Sequence, residues 1–208
     1  YSDLLREYGS PDMAQPRIVS LLPSATEIAV ALGLGESLVG RSHECDYPLF
    51  VKALPVVTST RLEKGLTSRQ IDDRIQEIVR QGLSVYEVDT ALLRDLRPDL
   101  ILTQSQCAVC AVTPADLEEA LGDWIGTAPT LLSLAPDTLE DVWSDFAKVA
   151  EAAGIPERAS SVVGDLKERM SGLSRSSAER MDRPRVAAIE WIDPLMAAGN
   201  WVPELIEA

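Results

Sequence analysis

Two short segments hold all three cysteines of this 208-residue chain and its one histidine: His43-Glu44-Cys45 and Cys107-Ala108-Val109-Cys110. Arranged as His-x-Cys and Cys-x-x-Cys, four nitrogen and sulfur donors suit a tetrahedral zinc or a related soft metal, because Cys-x-x-Cys is a common half-site. The same residues admit thiol chemistry instead. Cys107 and Cys110 would then be a redox pair or a disulfide, with Cys45 a buried thiol and His43 hydrogen-bonded inside a pocket. One reading of the chain is therefore a soluble metal-binding or thiol redox protein that uses His43, Cys45, Cys107 and Cys110. Plain packing of these side chains is the third reading. Three cysteines allow at most one disulfide within the chain, which fits either a reducing or an oxidising compartment.

Enzyme chemistry has little to build on. Gly33-Leu34-Gly35 follows a helical pattern, whereas phosphate-binding glycine turns precede one. A nucleophile, base and acid set would have to use His43, with no orienting carboxylate singled out. The formal charge of −14, spread along the chain, argues against a nucleic-acid partner, and no apolar run is long enough for direct insertion into a membrane.

The elements that must position these residues alternate between strand and helix. Residues 18–22 read as a buried strand, with Pro23 and Ser24 at its end. Ser24 and Glu27 form a capping-box pattern for a helix over 25–32, stopped by Gly33; the Ser24 hydroxyl could alternatively face a ligand. Further strands are expected at 37–42, 55–58, 83–88, 99–103 and, as an edge, 130–133. Helices are expected at 67–81, where Ile71, Ile75, Ile78 and Val79 share a face, at 90–96, and at 113–121. The stretch 137–181 is helical. Within it Val162, Val163, Leu166, Met170 and Leu173 form one stripe of a helix from Pro156 to about residue 181, roughly 38 Å long. Beyond it, 185–190 reads as an apolar strand ending in Trp191-Ile192-Asp193-Pro194, and Trp201 leads into a last helix.

Ligands of parallel α/β sheets gather where strands end and loops depart. Here those loops carry Pro23 and Ser24, residues 43–48, residues 58–61, and Gln104 through Cys110. Trp191, Pro194 and Trp201 would face them from beyond the long helix. Polar loops opposite aromatic surface suit a flat or bulky organic ligand.

The run 16–27 (Pro-Arg-Ile-Val-Ser-Leu-Leu-Pro-Ser-Ala-Thr-Glu), the stretch from Gly40 to Asp46-Tyr47-Pro48, and 96–102 (Leu-Arg-Pro-Asp-Leu-Ile-Leu) resemble the first lobe of substrate-binding proteins of iron-siderophore and vitamin B12 ABC importers. Residues 191–199 (Trp-Ile-Asp-Pro-Leu-Met-Ala-Ala-Gly) resemble the opening of that family's second lobe, and the cobalamin-binding branch is the nearest in pattern. The resemblance implies an α/β protein with two Rossmann-like lobes joined by a long backbone helix. A first lobe over 16–136, a helical linker over 137–181 and the start of a second lobe over 182–208 follow, the second lobe being truncated in this sequence. It implies no catalysis and no required cofactor, cobalamin or a related corrinoid or metal chelate as ligand, an ABC permease as partner, and an extracytoplasmic location, periplasmic or lipid-anchored. A removed leader would explain why the N-terminus lacks an apolar signal core, although a cytoplasmic protein would look the same. By motif position, Tyr47, Pro48, Trp191 and Pro194 are carried over as ligand-gripping residues. His43 then gains one more reading, as axial ligand to a corrinoid cobalt or a haem iron.

Overall fold

The computed structural model describes residues 15–81, 83–105, 109, 111–122, 124, 126–178 and 184–207. Its centre is a four-stranded parallel sheet in the order β2 (Leu38–Arg41), β1 (Ile18–Ser20), β5 (Leu100–Gln104), β6 (Thr130–Leu134). Helices cover both faces, so the central strands are apolar on both sides, as a buried parallel sheet requires. Alternation along the strands sorts the core into two layers. Ile18, Leu100 and Leu102 pack with α1 (Pro23–Ala31), α5 (Leu139–Ala152) and the start of α6 (Pro156–Ala178). Val19 and Ile101 pack on the opposite face with α2 (Ser68–Arg80), α3 (Thr90–Leu96) and α4 (Pro114–Gly122).

Local signals account for most helix starts. Thr67 accepts from the Gln70 backbone while the Gln70 side chain answers Thr67, a reciprocal cap that opens α2. Asp89 caps α3 through the Leu92 N–H. Thr138 and Asp141 box the start of α5, and the Thr138 N–H holds the Asp141 carboxyl below the usual carboxylate range. The cap expected from Ser24 does not form. With Pro23 as the first helical residue, Leu22 becomes the N-cap and Ser24 sits inside the first turn, exposed.

Three other expectations are corrected. The segments around 55–60 and 83–88 do not join the main sheet. Apart from an isolated parallel bridge between Arg41 and Val56, β3 (Thr58–Thr60) and β4 (Tyr86–Val88) pair antiparallel with each other. Val79 is exposed, because on a helical wheel it stands about 80° from Ile71 while Ile75 and Ile78 stay within about 40° of it. The strand expected at 185–190 begins only at Ile189: β7 (Ile189–Ile192) pairs antiparallel with β8 (Leu195–Ala197), so Trp191 lies in a strand and Asp193-Pro194 forms the turn.

The long helix α6 lies against α5, with Lys167 reaching Glu140 at 3.0 Å and standing over the Trp143 ring. Glu140 is in the first turn of α5, so α6 runs past its partner there. The stretch after Lys167, 168–178, extends roughly 16 Å further. Leu173 is 72% exposed for this reason: it is on the apolar stripe but beyond the end of α5. Since α5 begins just after β6 ends, the overhang projects from the carboxyl edge of the sheet.

The β7–β8 hairpin and α7 (Val202–Glu207) form no pairing with the main sheet among the described residues. Among the described residues, two polar contacts tie them to the helices that flank it. The Glu204 carboxylate accepts from the Leu139 N–H at 2.8 Å, satisfying an orphan donor at the start of α5. Asp193 in the hairpin turn pairs with Arg69 in the first turn of α2.

Candidate functional site

All four strands of the sheet are parallel, so their carboxyl ends share one rim. The loop after β1 brings Pro23, half-buried, and Ser24, exposed, to that rim. The loop after β2 brings residues 42–48. Gln104, half-buried, ends β5 in register with Leu134 of β6. The Thr103 hydroxyl donates to the Val112 carbonyl, which ties the end of β5 to the residues just before α4. Cys107 and Cys110 themselves lie outside the described residues.

The loop after β2 is held from below by Arg41. Its guanidinium donates to the carbonyls of Ser42 and Cys45 at 3.0 Å each and of Lys52 at 3.2 Å. Three donors aimed at one loop fix its path and leave the tip outside: Tyr47 is 62% exposed, ahead of a cis bond to Pro48. An aromatic ring left largely in water on a clamped loop, next to a proline, is an apolar platform without a partner among the described residues.

His43 and Cys45 diverge from this loop. The His43 Nδ1 lies 2.8 Å from the Thr58 hydroxyl, which also receives the His43 N–H at 3.0 Å and lies 3.0 Å from Ser42 Oγ. If Thr58 gives its proton to Ser42, Nδ1 carries the imidazole hydrogen and Nε2 holds a lone pair; if Thr58 gives it to Nδ1, Nε2 carries the hydrogen. Either way Nδ1 is committed. The ring also packs at 5.7 Å against Tyr86, whose hydroxyl donates to Glu44 at 3.3 Å. Burial first, and the Glu44 charge second, raise the Tyr86 hydroxyl well above the ordinary phenol range, so it stays a donor at neutral pH.

Cys45 turns inward, fully buried, with Sγ 3.1 Å from the Thr26 hydroxyl. Thr26 is also within reach of Ser20 Oγ at 2.9 Å and the Leu22 carbonyl at 3.1 Å. It has one proton and the carbonyl can only accept, so a share of these contacts must be donated to Thr26 by the serine hydroxyl or the thiol. Burial pushes the Cys45 thiol up, with the Thr26 contact opposing it, and a metal-binding or nucleophilic cysteine needs the opposite. Among the described residues no group of three or more histidine, cysteine or acidic side chains stands close enough to hold a metal.

In the 184–207 segment, Trp191, Pro194 and Trp201 are each half-buried, which is neither core packing nor full exposure. The Trp191 indole N–H donates to the Asp193 carbonyl at 2.9 Å, so the ring is locked to the turn it precedes. The same turn is pinned by Arg69. The hairpin and α7 thus reach one helical layer of the sheet through Asp193 and the other through Glu204. An open groove on α2 is lined by Glu63, Leu66, Gln70, Asp73, Arg74 and Glu77, three of them carboxylates.

Sequence reasoning missed Arg41, Thr26 and Tyr86, which organise the rim loops, and gave Thr58 a place in a loop without its contact to His43. An arginine closing a strand before a loop rich in carbonyls was a readable signal for the first. The others become visible only once the fold brings distant positions together: Thr26 with Cys45, Thr58 with His43, and Tyr86 with Glu44.

No family model matches the chain. It is homologous to curated proteins named vitamin B12-binding protein. One from Photorhabdus laumondii is 26% identical over 168 residues, covering 81% of this chain and 49% of the relative. Another, from Yersinia pestis, is 30% identical over 163 residues, covering 78% and 46%. The chain thus spans about half the length of the curated relatives it matches. Among solved structures, the periplasmic vitamin B12 binding protein BtuF of Vibrio cholerae superposes with a TM-score of 0.62 at 22% identity, over 92% of this chain and 64% of that one. The periplasmic heme-binding protein RhuT of Roseiflexus sp. RS-1 superposes with a TM-score of 0.57 at 24% identity, over 85% and 55%. These two likenesses establish the fold.

Proposed function

We propose that this chain, a homologue of vitamin B12-binding proteins, is the ligand-capturing part of an ABC-importer substrate-binding protein, and that it holds a corrinoid between the sheet rim and the 184–207 segment without chemical change. The observation that carries the reading is two anchored aromatic-and-proline groups with accessible surface: Tyr47-Pro48 on the loop clamped by Arg41, and Trp191 with Pro194 on the hairpin pinned by Arg69. A corrin is broad, nearly flat and apolar on its faces, so it gains from stacking and area burial. Loops fixed in advance, by Arg41 on one side and Arg69 on the other, lower the ordering cost of binding. Pro23, Ser24, Gln104 and Trp201 are assigned to the rest of the wall, with polar atoms for the amide rim of the ligand. An extracytoplasmic location and a permease partner belong to the same proposal; among the described residues no helix is long and apolar enough to cross a membrane.

The metal or thiol reading is not favoured, since Cys45 faces Thr26 while His43 faces Thr58 and Tyr86. The test is calorimetric titration of the chain with cyanocobalamin, dicyanocobinamide and haem in parallel. Saturable one-to-one binding of a corrinoid, tighter than that of haem, is expected. Binding of haem with none of either corrinoid overturns the corrinoid assignment, and binding of neither overturns the capture function.

A further inference from the structure

The charge pattern of α2 contains one exception. Arg74 pairs with Glu77 within the helix at 2.6 Å, and Arg80 donates to Gln76 at 3.0 Å, as neighbours one turn apart usually do. Arg69 has Asp72 and Asp73 three and four residues ahead, both on its own side of the helix. It reaches instead to Asp193, 124 positions away in the hairpin turn. An arginine followed by an acid at four residues is the weaker orientation for a helical pair, which leaves the guanidinium free for another partner.

From this we infer that Arg69 is a positioning residue: its ion pair with Asp193 is a strap that sets the β7–β8 hairpin, and with it the Trp191 ring, over the carboxyl rim of the sheet. The chain of contacts is short. The guanidinium holds the Asp193 carboxylate, and the Asp193 carbonyl holds the Trp191 indole N–H. Arg69 stands in the layer that packs against Ile101, whereas the other anchor, Glu204 on Leu139, stands in the layer that packs against Leu100 and Leu102. One anchor in each layer makes the segment a bridge across the sheet edge, and releasing either end lets it swing. Both partners of the strap are about half exposed, 51% and 54%, so it tunes the hairpin rather than holding the fold together, and salt weakens it. This role rests on the corrinoid reading only for its effect on affinity; the restraint on the hairpin does not.

The test therefore has two readouts. In the ligand-free chain, amide hydrogen exchange of residues 189–198 is compared for the parent, Arg69→Gln, Asp193→Asn, the double variant and Arg69→Lys. The strap predicts exchange about two- to fivefold faster in each neutralised variant, no further acceleration in the double, and partial recovery with lysine. In the second readout, corrinoid affinity falls by about the same two- to fivefold in Arg69→Gln at low salt, and the difference from the parent closes at about 0.5 M salt. Unchanged hairpin exchange in Arg69→Gln, or additive effects in the double variant, overturns the strap whatever the chain binds. A parent that binds no corrinoid overturns the ligand assignment and leaves the exchange comparison to decide the strap.

Discussion

Trp191→Ala is expected to weaken the proposed corrinoid binding by about 1–3 kcal/mol, a loss of about five- to 150-fold in affinity. Trp191 is half-buried, so part of its surface still contacts water and that part is what a flat ligand would cover. Its indole N–H is already satisfied by the Asp193 carbonyl at 2.9 Å, so stacking requires no polar group to be stripped of its partner. The ring is also held in orientation before the ligand arrives, which keeps the entropy cost of stacking low. Trp191→Phe keeps most of the area and loses the hydrogen bond, so it is expected to fall nearer the lower end of that range. Equilibrium titration of both variants measures this. Equal affinity for Trp191→Ala and the parent removes Trp191 from the binding surface.

The largest effect on stability is expected at Leu102→Ala, at about 2–5 kcal/mol. Leu102 is fully buried in the middle of β5, its backbone paired to Ser20 on one side and Leu132 on the other. Its side chain belongs to the cluster that joins the sheet to α1, α5 and α6. Removing it opens a void under three helices and beside two strands that the sheet's hydrogen-bonded register holds in place, so the site can collapse only in part. A melting midpoint lowered by roughly 4–20 °C follows for a chain of this size. Thermal unfolding followed by circular dichroism is the measurement, and Leu173→Ala, on the overhanging part of α6, is the control, with a change within about 0.5 kcal/mol. A loss at Leu102 no larger than at Leu173 would mean that β5 is not the centre of the core.

Much of this was legible before any coordinates, for identifiable reasons. The strands β1, β5 and β6 lie in mostly apolar runs and Ile71, Ile75 and Ile78 mark one face of α2, so hydrophobic patterning placed them, whereas α5 was legible only as part of the helical stretch 137–181. The Pro-Ser-Ala-Thr-Glu stretch was ambiguous between two helix starts. Pro23 at the first position prevailed over Ser24 as cap because proline's fixed φ and missing N–H fit there. The antiparallel pairing of β3 with β4 was not legible, since three-residue strands have no periodicity and their direction is decided by the chain around them. The start of β7 was misplaced because 186–189 are apolar throughout, and what sets the boundary is the partner strand at Leu195–Ala197.

The site divides the same way. Tyr47, Pro48, Trp191 and Pro194 came from a motif resemblance, and the structure puts them on loops and a hairpin with exposed apolar surface. His43 and Cys45, two residues apart, invited a shared ligand set. The loop instead sends one towards Thr58 and the other towards Thr26, a divergence that depends on which hydroxyls the neighbouring strands present. Arg69 gave no signal at all, because its partner is 124 positions away.

A crystal structure of the chain with a bound corrinoid measures the arrangement directly. The ligand is expected between the two walls, its ring system within about 4 Å of Trp191 on one side and of Tyr47 or Pro48 on the other. A corrinoid seated on the acidic groove of α2, or anywhere that leaves both Tyr47 and Trp191 in water, would contradict it.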